Sequence, residues 1–322
     1  MSFKFVLLPP PGDFLHRMAA RIEAAVPEAN VVVCEERARA LEQLADAPAA
    51  FGFMDPELLA AAGGLKWLAC PAAGPAPSFY FPELVASDVV VTNTRGIYSD
   101  HIGVHVMAFV LAFARHLHVY LPAQQRGEWR PGGEGGASIH LPEATAVIIG
   151  VGGIGSEAAR HCSHFGMHVI GIDPRVAEAP EGVDELYSPE ALDEQLGRGD
   201  FVIMTAPQTP QMERLIDRQR LGCMKTSGIL INIGRGANVV IEDLADALYE
   251  GKIGGAALDV FEIEPLPPGH RLWTAPNFLM TPHTAASGPY LEERRFELQV
   301  ENCRRFARGE QLANVVDKAN WF

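Results

Sequence analysis

Three residue types suited to one reaction recur at comparable positions along the second half of the chain. The stretch MTPHTAASG (280–288) sets His283 directly after an apolar run, NIGRGA (232–237) does the same for Arg235, and ALDVFEIEPLP (257–267) carries Glu264. Reducing a 2-keto acid requires a fixed cation for the carboxylate, an acid for the carbonyl oxygen, and a group that keeps that acid protonated. An arginine offers a planar charged fork for a carboxylate and its neighbouring carbonyl. A histidine gives or takes a proton near neutrality, and a glutamate against it favours the imidazolium and fixes its orientation. Taken singly, His283 fits a packed structural histidine, Arg235 a surface ion pair and Glu264 a solvated loop acid. Their place after successive apolar runs makes them candidates for one cluster, because ligands collect at strand carboxyl ends in a doubly wound sheet.

A second constellation lies upstream, in TAVIIGVGGIGSEAARHCSHFGMHVIGIDPR (145–175). Gly150, Gly152 and Gly155 follow an apolar strand and open a helical pattern, the context in which this spacing signals a dinucleotide site. The first glycine permits the tight turn, the second lets the backbone approach a pyrophosphate, and the third lets helix and strand pack closely. Gly153 and Ile154 complete the loop, whose helix end presents N–H groups to phosphate. Asp173 comes 23 residues after Gly150, where a carboxylate accepts from ribose hydroxyls and repels a 2′-phosphate, so NAD is favoured over NADP. Pro174 adjoins this site, and Arg175 argues the other way, since a guanidinium accommodates that phosphate. Metal ligation is the weaker reading of the remaining histidines. His101 and His105 have i, i+4 spacing but Ile102 stands where a zinc protease has its glutamate, and no cysteine or acid completes a set with His161, His164 and His168.

The elements that must position these groups read as alternating strands and helices. Apolar runs at 4–10, 30–34, 50–54, 65–71 and 89–93 are separated by helical stretches, and after a Gly- and Pro-rich loop (126–144) the alternation restarts at 145–150, 168–173, 201–206, 229–234, 256–260 and 277–281. This is an α/β pattern of two units, each a parallel sheet covered on both faces, followed by a charged amphipathic helix that is expected to pack back on the first unit. With 322 residues, 48% of them hydrophobic, the chain fills two cores. A formal net charge of -14 disfavours nucleic acid and anionic membrane as partners. Five cysteines without a CxxC pair read as buried small hydrophobes in a reducing compartment, and the apolar run at the N-terminus is too short for a signal peptide, so a cytoplasmic protein is expected. The most apolar segment, 102–114, reads as a buried helix rather than a membrane span.

Together IGVGGIG, NIGRG, ALDVFEIEPLP, LWTAPNFLMTPHTA and NVVDK resemble the D-isomer-specific 2-hydroxyacid dehydrogenase family, which includes glyoxylate and hydroxypyruvate reductases. The resemblance implies a Rossmann NAD-binding domain (100–288) inserted in a discontinuous flavodoxin-like substrate domain (1–99 plus 289–322), and a homodimer. It implies that Arg235 binds the carboxylate, that His283 is the acid/base with Glu264 as its partner, and that Asp259 holds the nicotinamide carboxamide. Thr205, Ala206 and Pro207 in TAPQTP, with Ile233, fall beside the cofactor, and PAAGP (71–75) becomes the substrate-carboxylate loop, with backbone donors near Ala73 and Gly74. The chain departs from the family pattern at Val104 and Met212, and AAGPAPSFYF (72–81) suggests a pocket lined by Phe79, Tyr80 or Tyr98. The reaction implied interconverts a small 2-keto acid and a D-2-hydroxy acid. Formate dehydrogenase, a relative with glutamine as the histidine's partner, fits less well. The alternative is an NAD-sensing co-repressor of the C-terminal-binding protein kind, which shares this fold.

Overall fold

In the computed structural model, which describes residues 2–130 and 138–321, the chain forms two compact units, 1–97 with 288–322 and 98–287. Part of the Gly- and Pro-rich loop, 131–137, lies outside the described residues.

The first unit is built on β1 (Phe3–Leu7), β2 (Ala29–Val33), β3 (Ala49–Phe51), β4 (Trp67–Ala69) and β5 (Val90–Thr92), hydrogen-bonded in the order β2-β1-β3-β4-β5 with every pair parallel. Because side chains alternate across a strand, Phe3, Phe5 and Leu7 enter one core layer while Val6 enters the other, with Leu8 just beyond the strand. The helix Leu291–Arg308 completes the first of these layers with Phe296, Val300 and Cys303, as its amphipathic pattern predicts. At the centre, fully buried Trp67 stacks on Phe5 at 5.0 Å and donates its indole N–H to Thr92 Oγ1 at 2.9 Å.

The second unit contains β6 (Thr145–Ile149), β7 (His168–Ile172), β8 (Glu185–Tyr187), β9 (Phe201–Met204), β10 (Ile229–Asn232), β11 (Gly255–Leu258) and β12 (Phe278–Met280), in the order β12-β11-β10-β9-β6-β7-β8, again all parallel. The order reverses between β6 and β9, and such a switch point leaves a crevice at the strand carboxyl ends. Strand β8 has no counterpart in the sequence reading: ELY is short, half-buried and polar at its start, so it lacks the apolar run that marks the others.

The buried helix expected over 102–114 runs Ser99–Ala114, and a second helix, Leu117–Gln125, follows it at a bend of 74° where His116 takes a left-handed φ of 56°. No single helix among the described residues is long and apolar enough to cross a membrane, and the first of this pair buries Ile102, Val106, Val110 and Phe113 within the protein. All five cysteines are free thiols; burial pushes Cys70 and Cys162 up to about 12, while Cys223 is only half-buried.

Trp67→Ala removes the largest buried side chain of the first unit and orphans the Thr92 hydroxyl, and should cost about 3–5 kcal/mol in a urea unfolding titration. Trp67→Phe, which keeps a ring against Phe5, should cost clearly less.

Candidate active site

Strands β10, β11 and β12 lie side by side with Asn232 opposite Leu258 and Leu258 opposite Met280, so their carboxyl ends are level. The chain leaves each at the same edge. Arg235 follows three residues after β10, Asp259 one after β11 and His283 three after β12.

His283 Nδ1 lies 2.7 Å from Glu264 Oε2. Glu264 is itself oriented by its other oxygen, which accepts the Phe261 N–H at 2.8 Å. The histidine backbone takes a left-handed φ of 54°, a conformation that costs a non-glycine residue about 1–3 kcal/mol unless its surroundings impose it. They do so through Asp259. Its carbonyl accepts the His283 N–H at 2.8 Å, and its carboxylate accepts from Thr281 Oγ1 at 2.5 Å, Thr284 N at 2.8 Å and Ala285 N at 2.9 Å. Thr281 spends its own proton on Asp259, so the 2.9 Å contact from His105 Nε2 to Thr281 Oγ1 has the imidazole as donor. Burial lowers the His105 pKa below its ordinary 6.5, with the Asp259 charge opposing.

Asp259 is 1% exposed, and its carboxylate is enclosed by the loop that presents His283. The residue shapes the loop that carries His283. His105, read only as half of a weak metal pair, is instead an anchor of the same loop. Its partner is 176 residues away, so no local spacing signals the contact. Among the described residues no three His, Cys, Asp or Glu gather to hold a metal ion.

Arg235 leaves its strand through a turn built by fully buried Asn232, whose side chain donates to the Arg235 carbonyl at 2.9 Å and accepts from Gly234 N at 3.0 Å. The guanidinium donates to the Gly234 carbonyl at 2.6 Å. Burial draws its pKa below the ordinary 12.5 while the Glu264 carboxylate opposes the shift, which places Arg235 and the Glu264–His283 pair in one electrostatic neighbourhood. His283, with 51% of its side chain exposed, remains open to a ligand.

At the switch point, Gly150 takes a φ of +92°, and a Cβ on Gly155 would lie 1.9 Å from the Gly150 carbonyl oxygen. Thr205 donates its hydroxyl to that same carbonyl, and Ala206 packs against Gly150. Above Gly152, by contrast, the nearest atom to an added Cβ is Arg175 Nη2 at 3.8 Å. The loop is thus closed beneath and open above, with the helix Gly153–His164 starting from it, and this fits a dinucleotide pyrophosphate. Gly153 is exposed and Ile154 half-buried at the helix start, Pro207 is half-buried, and Ile233 is buried where β10 ends.

Asp173 and exposed Pro174 stand at the end of β7, but the side chain of Asp173 is 1% exposed and bonded to Val151 and Arg175. Ala73 and Gly74 belong to the other unit, where the Asn93 amide donates to the Ala73 carbonyl at 2.8 Å and Thr94 Oγ1 to that of Pro71 at 3.2 Å. Phe79 and Tyr80 are buried in that unit's core and Tyr98 is buried too, so the aromatic pocket expected from loop composition is a set of core contacts.

Residues 107–285, more than half of the chain, match the family model "D-isomer specific 2-hydroxyacid dehydrogenase, NAD binding domain". The chain belongs to the D-isomer specific 2-hydroxyacid dehydrogenase family. It is 31% identical over 321 residues to a glyoxylate reductase of Pyrococcus furiosus, covering 92% of this chain and 94% of that one. It is 35% identical over 236 residues to a D-3-phosphoglycerate dehydrogenase of Methanocaldococcus jannaschii, 72% of this chain but only 44% of that longer one. Among solved structures, an NADPH-dependent glyoxylate/hydroxypyruvate reductase of Sinorhizobium meliloti in complex with NADP and sulfate superposes with a TM-score of 0.83 at 29% identity, covering 100% of both chains. The dehydrogenase family's cofactor-domain match falls within the 98–287 unit and contains Arg235, Asp259, Glu264 and His283.

Thr281→Val keeps the side-chain shape but removes the hydroxyl between His105 and Asp259, and should lower kcat roughly 10- to 100-fold with dinucleotide affinity unchanged. The His105 ring should titrate below 6.5 by NMR. As pH falls through about 6.5 the unfolded chain takes this proton before the folded one, so His105 draws stability down on the acid side and has no effect at pH 8.

Proposed function

We propose that this protein is an NAD(P)H-dependent oxidoreductase that interconverts a small 2-keto acid and a D-2-hydroxy acid. The observation that carries the reading is the 2.7 Å contact from His283 Nδ1 to Glu264 Oε2, with Arg235 beside it at the same sheet edge as the glycine loop.

Nδ1 is engaged by the carboxylate, so Nε2 is the ring nitrogen that exchanges a proton with a ligand. Glu264 holds the ring in one orientation. Arg235 grips the substrate carboxylate and polarises the adjacent carbonyl, and burial strengthens that charge by removing competing water. His283 then protonates the carbonyl oxygen as the alcohol forms, and in the reverse direction Nε2 takes the hydroxyl proton back. A reduced nicotinamide dinucleotide, when bound over the glycine loop, supplies the hydride to the carbonyl carbon. Asp259 contributes by holding His283 where its proton is useful, Asn232 by turning Arg235 inward. On this reading the 98–287 unit takes the dinucleotide.

The names of the relatives support a two- or three-carbon keto acid, since a glyoxylate reductase and a glyoxylate/hydroxypyruvate reductase are among them. The oxidation of NADH and of NADPH should be followed with glyoxylate, hydroxypyruvate, pyruvate, 2-oxobutyrate and phenylpyruvate. Glyoxylate and hydroxypyruvate should be turned over fastest. His283→Ala should lose about 10²- to 10⁴-fold in kcat, and Glu264→Gln should lose less. A wild-type protein that binds dinucleotide but turns over none of the panel would sink the enzyme reading in favour of a dinucleotide sensor.

A further inference from the structure

We infer that the segment NVVDK (314–318) is a strap that positions the loop after β4 for the keto acid, with Asn314 as the positioning residue. The inference takes the identity of the ligand from the preceding reading, and the strap itself from contacts within the first unit.

Strand β5 is the last strand of the first sheet, and the chain from 314 to 316 covers its outer side, running antiparallel. Val315 bridges Thr92, the Val316 N–H donates to the Val91 carbonyl at 2.8 Å, and the Asn93 N–H donates to the Asn314 carbonyl at 3.2 Å. Both ends of the segment are fixed. On one side fully buried Asn302, from the helix Leu291–Arg308, accepts the Ala313 N–H at 2.7 Å and donates to the Ala313 carbonyl at 3.2 Å. On the other, Val316 is buried in the core and the Lys318 ammonium donates to the carbonyls of Leu84 and Val89 at 3.1 and 2.9 Å.

What the strap holds is the ligand edge. A doubly wound sheet takes ligands at its strand carboxyl ends, where the order of strands reverses. In the first sheet the order reverses between β1 and β3, and the loop 70–76 leaves β4 at that edge. Asn314 takes a left-handed φ of 57°, and its amide donates to the Arg95 carbonyl at 2.8 Å and to the Asn93 carbonyl at 3.3 Å. Asn93, 4% exposed, in turn donates its amide to the Ala73 carbonyl at 2.8 Å, while its oxygen accepts the Arg95 N–H at 3.2 Å. Three asparagines thus link the helix, through the strap, to the loop. The consequence is electrostatic. With the Ala73 carbonyl drawn onto Asn93 and that of Pro71 onto buried Thr94, two partial negative charges are kept away from an anionic ligand. A loop released from Asn93 would turn a carbonyl dipole toward the keto acid's carboxylate and weaken its binding.

The panel of keto acids should be run on wild type, Asn314→Gly and Asn93→Asp, with hydrogen exchange followed over 70–76. Glycine keeps the left-handed backbone and removes both donors, whereas aspartate keeps the acceptor for the Arg95 N–H and removes the donor to Ala73. Each variant should raise KM for the best keto acid about five- to tenfold, as expected for one lost hydrogen bond, with kcat changed less than about threefold. Exchange over 70–76 should quicken, and NADH and NADPH should bind as they do to wild type. The double variant should raise KM by less than the product of the two, since both act through Ala73. A segment that only stabilises the fold would instead lower the active fraction at constant KM. That result, or exchange over 70–76 equal to wild type in both variants, would overturn the inference and leave the proposed reaction standing. A wild type that turns over no keto acid would overturn the reaction, and exchange alone would then decide the strap.

Discussion

The buried carboxylate of Asp259 is the constraint on which the site's geometry depends. It gathers donors from three consecutive stretches of backbone and side chain after β12, and its own carbonyl takes the His283 N–H. A histidine in left-handed conformation would relax to an ordinary one if these contacts were lost, and its imidazole would leave Glu264. An interior acid is costly to bury without partners. Here that cost works in favour of order, because only the tight loop that carries His283 satisfies all of its acceptors at once.

The same economy recurs along the sheet. Asn232 after β10 and Asp173 after β7 bond to the loop that follows, and Asp259 after β11 to the loop that follows the neighbouring β12, each a buried polar side chain at a strand carboxyl end. Their common task is to convert the level ends of parallel strands into fixed loops. The groups available to ligands, Arg235, His283, Glu264 and Arg175, are carried by those loops and are partly exposed. Buried polar residues thus hold the loops, and the charged residues those loops carry stay within reach of solvent.

This division explains what was legible in the sequence. The parallel α/β architecture followed from the apolar runs, and the glycine loop, Arg235, Glu264 and His283 stood out because their types and their places after those runs carry a chemical meaning. Asp259 and Asp173 were visible as acids but not as sealed ones, since whether a carboxylate faces a ligand or its own loop depends on donors such as Val151 N and Ala285 N, which every residue possesses. The role of His105 was not legible for a related reason: its partner comes from a distant strand end. Phe79 and Tyr80 looked like a pocket because composition does not tell a core aromatic from a lining one.

The split of the first unit has a consequence for how the chain is made. Residues 98–287 are contiguous and hold a complete seven-stranded sheet, so they have all they need to fold while synthesis continues. The first unit does not. Phe5 and Trp67, translated early, share a core layer with Phe296, Val300 and Cys303, which emerge after the whole second unit. The half whose residues are made first is therefore the half that finishes last, and until the helix Leu291–Arg308 docks, the part of one sheet face that the helix Asp13–Ala25 does not cover stays open to water and to whatever chaperone or neighbouring chain finds it.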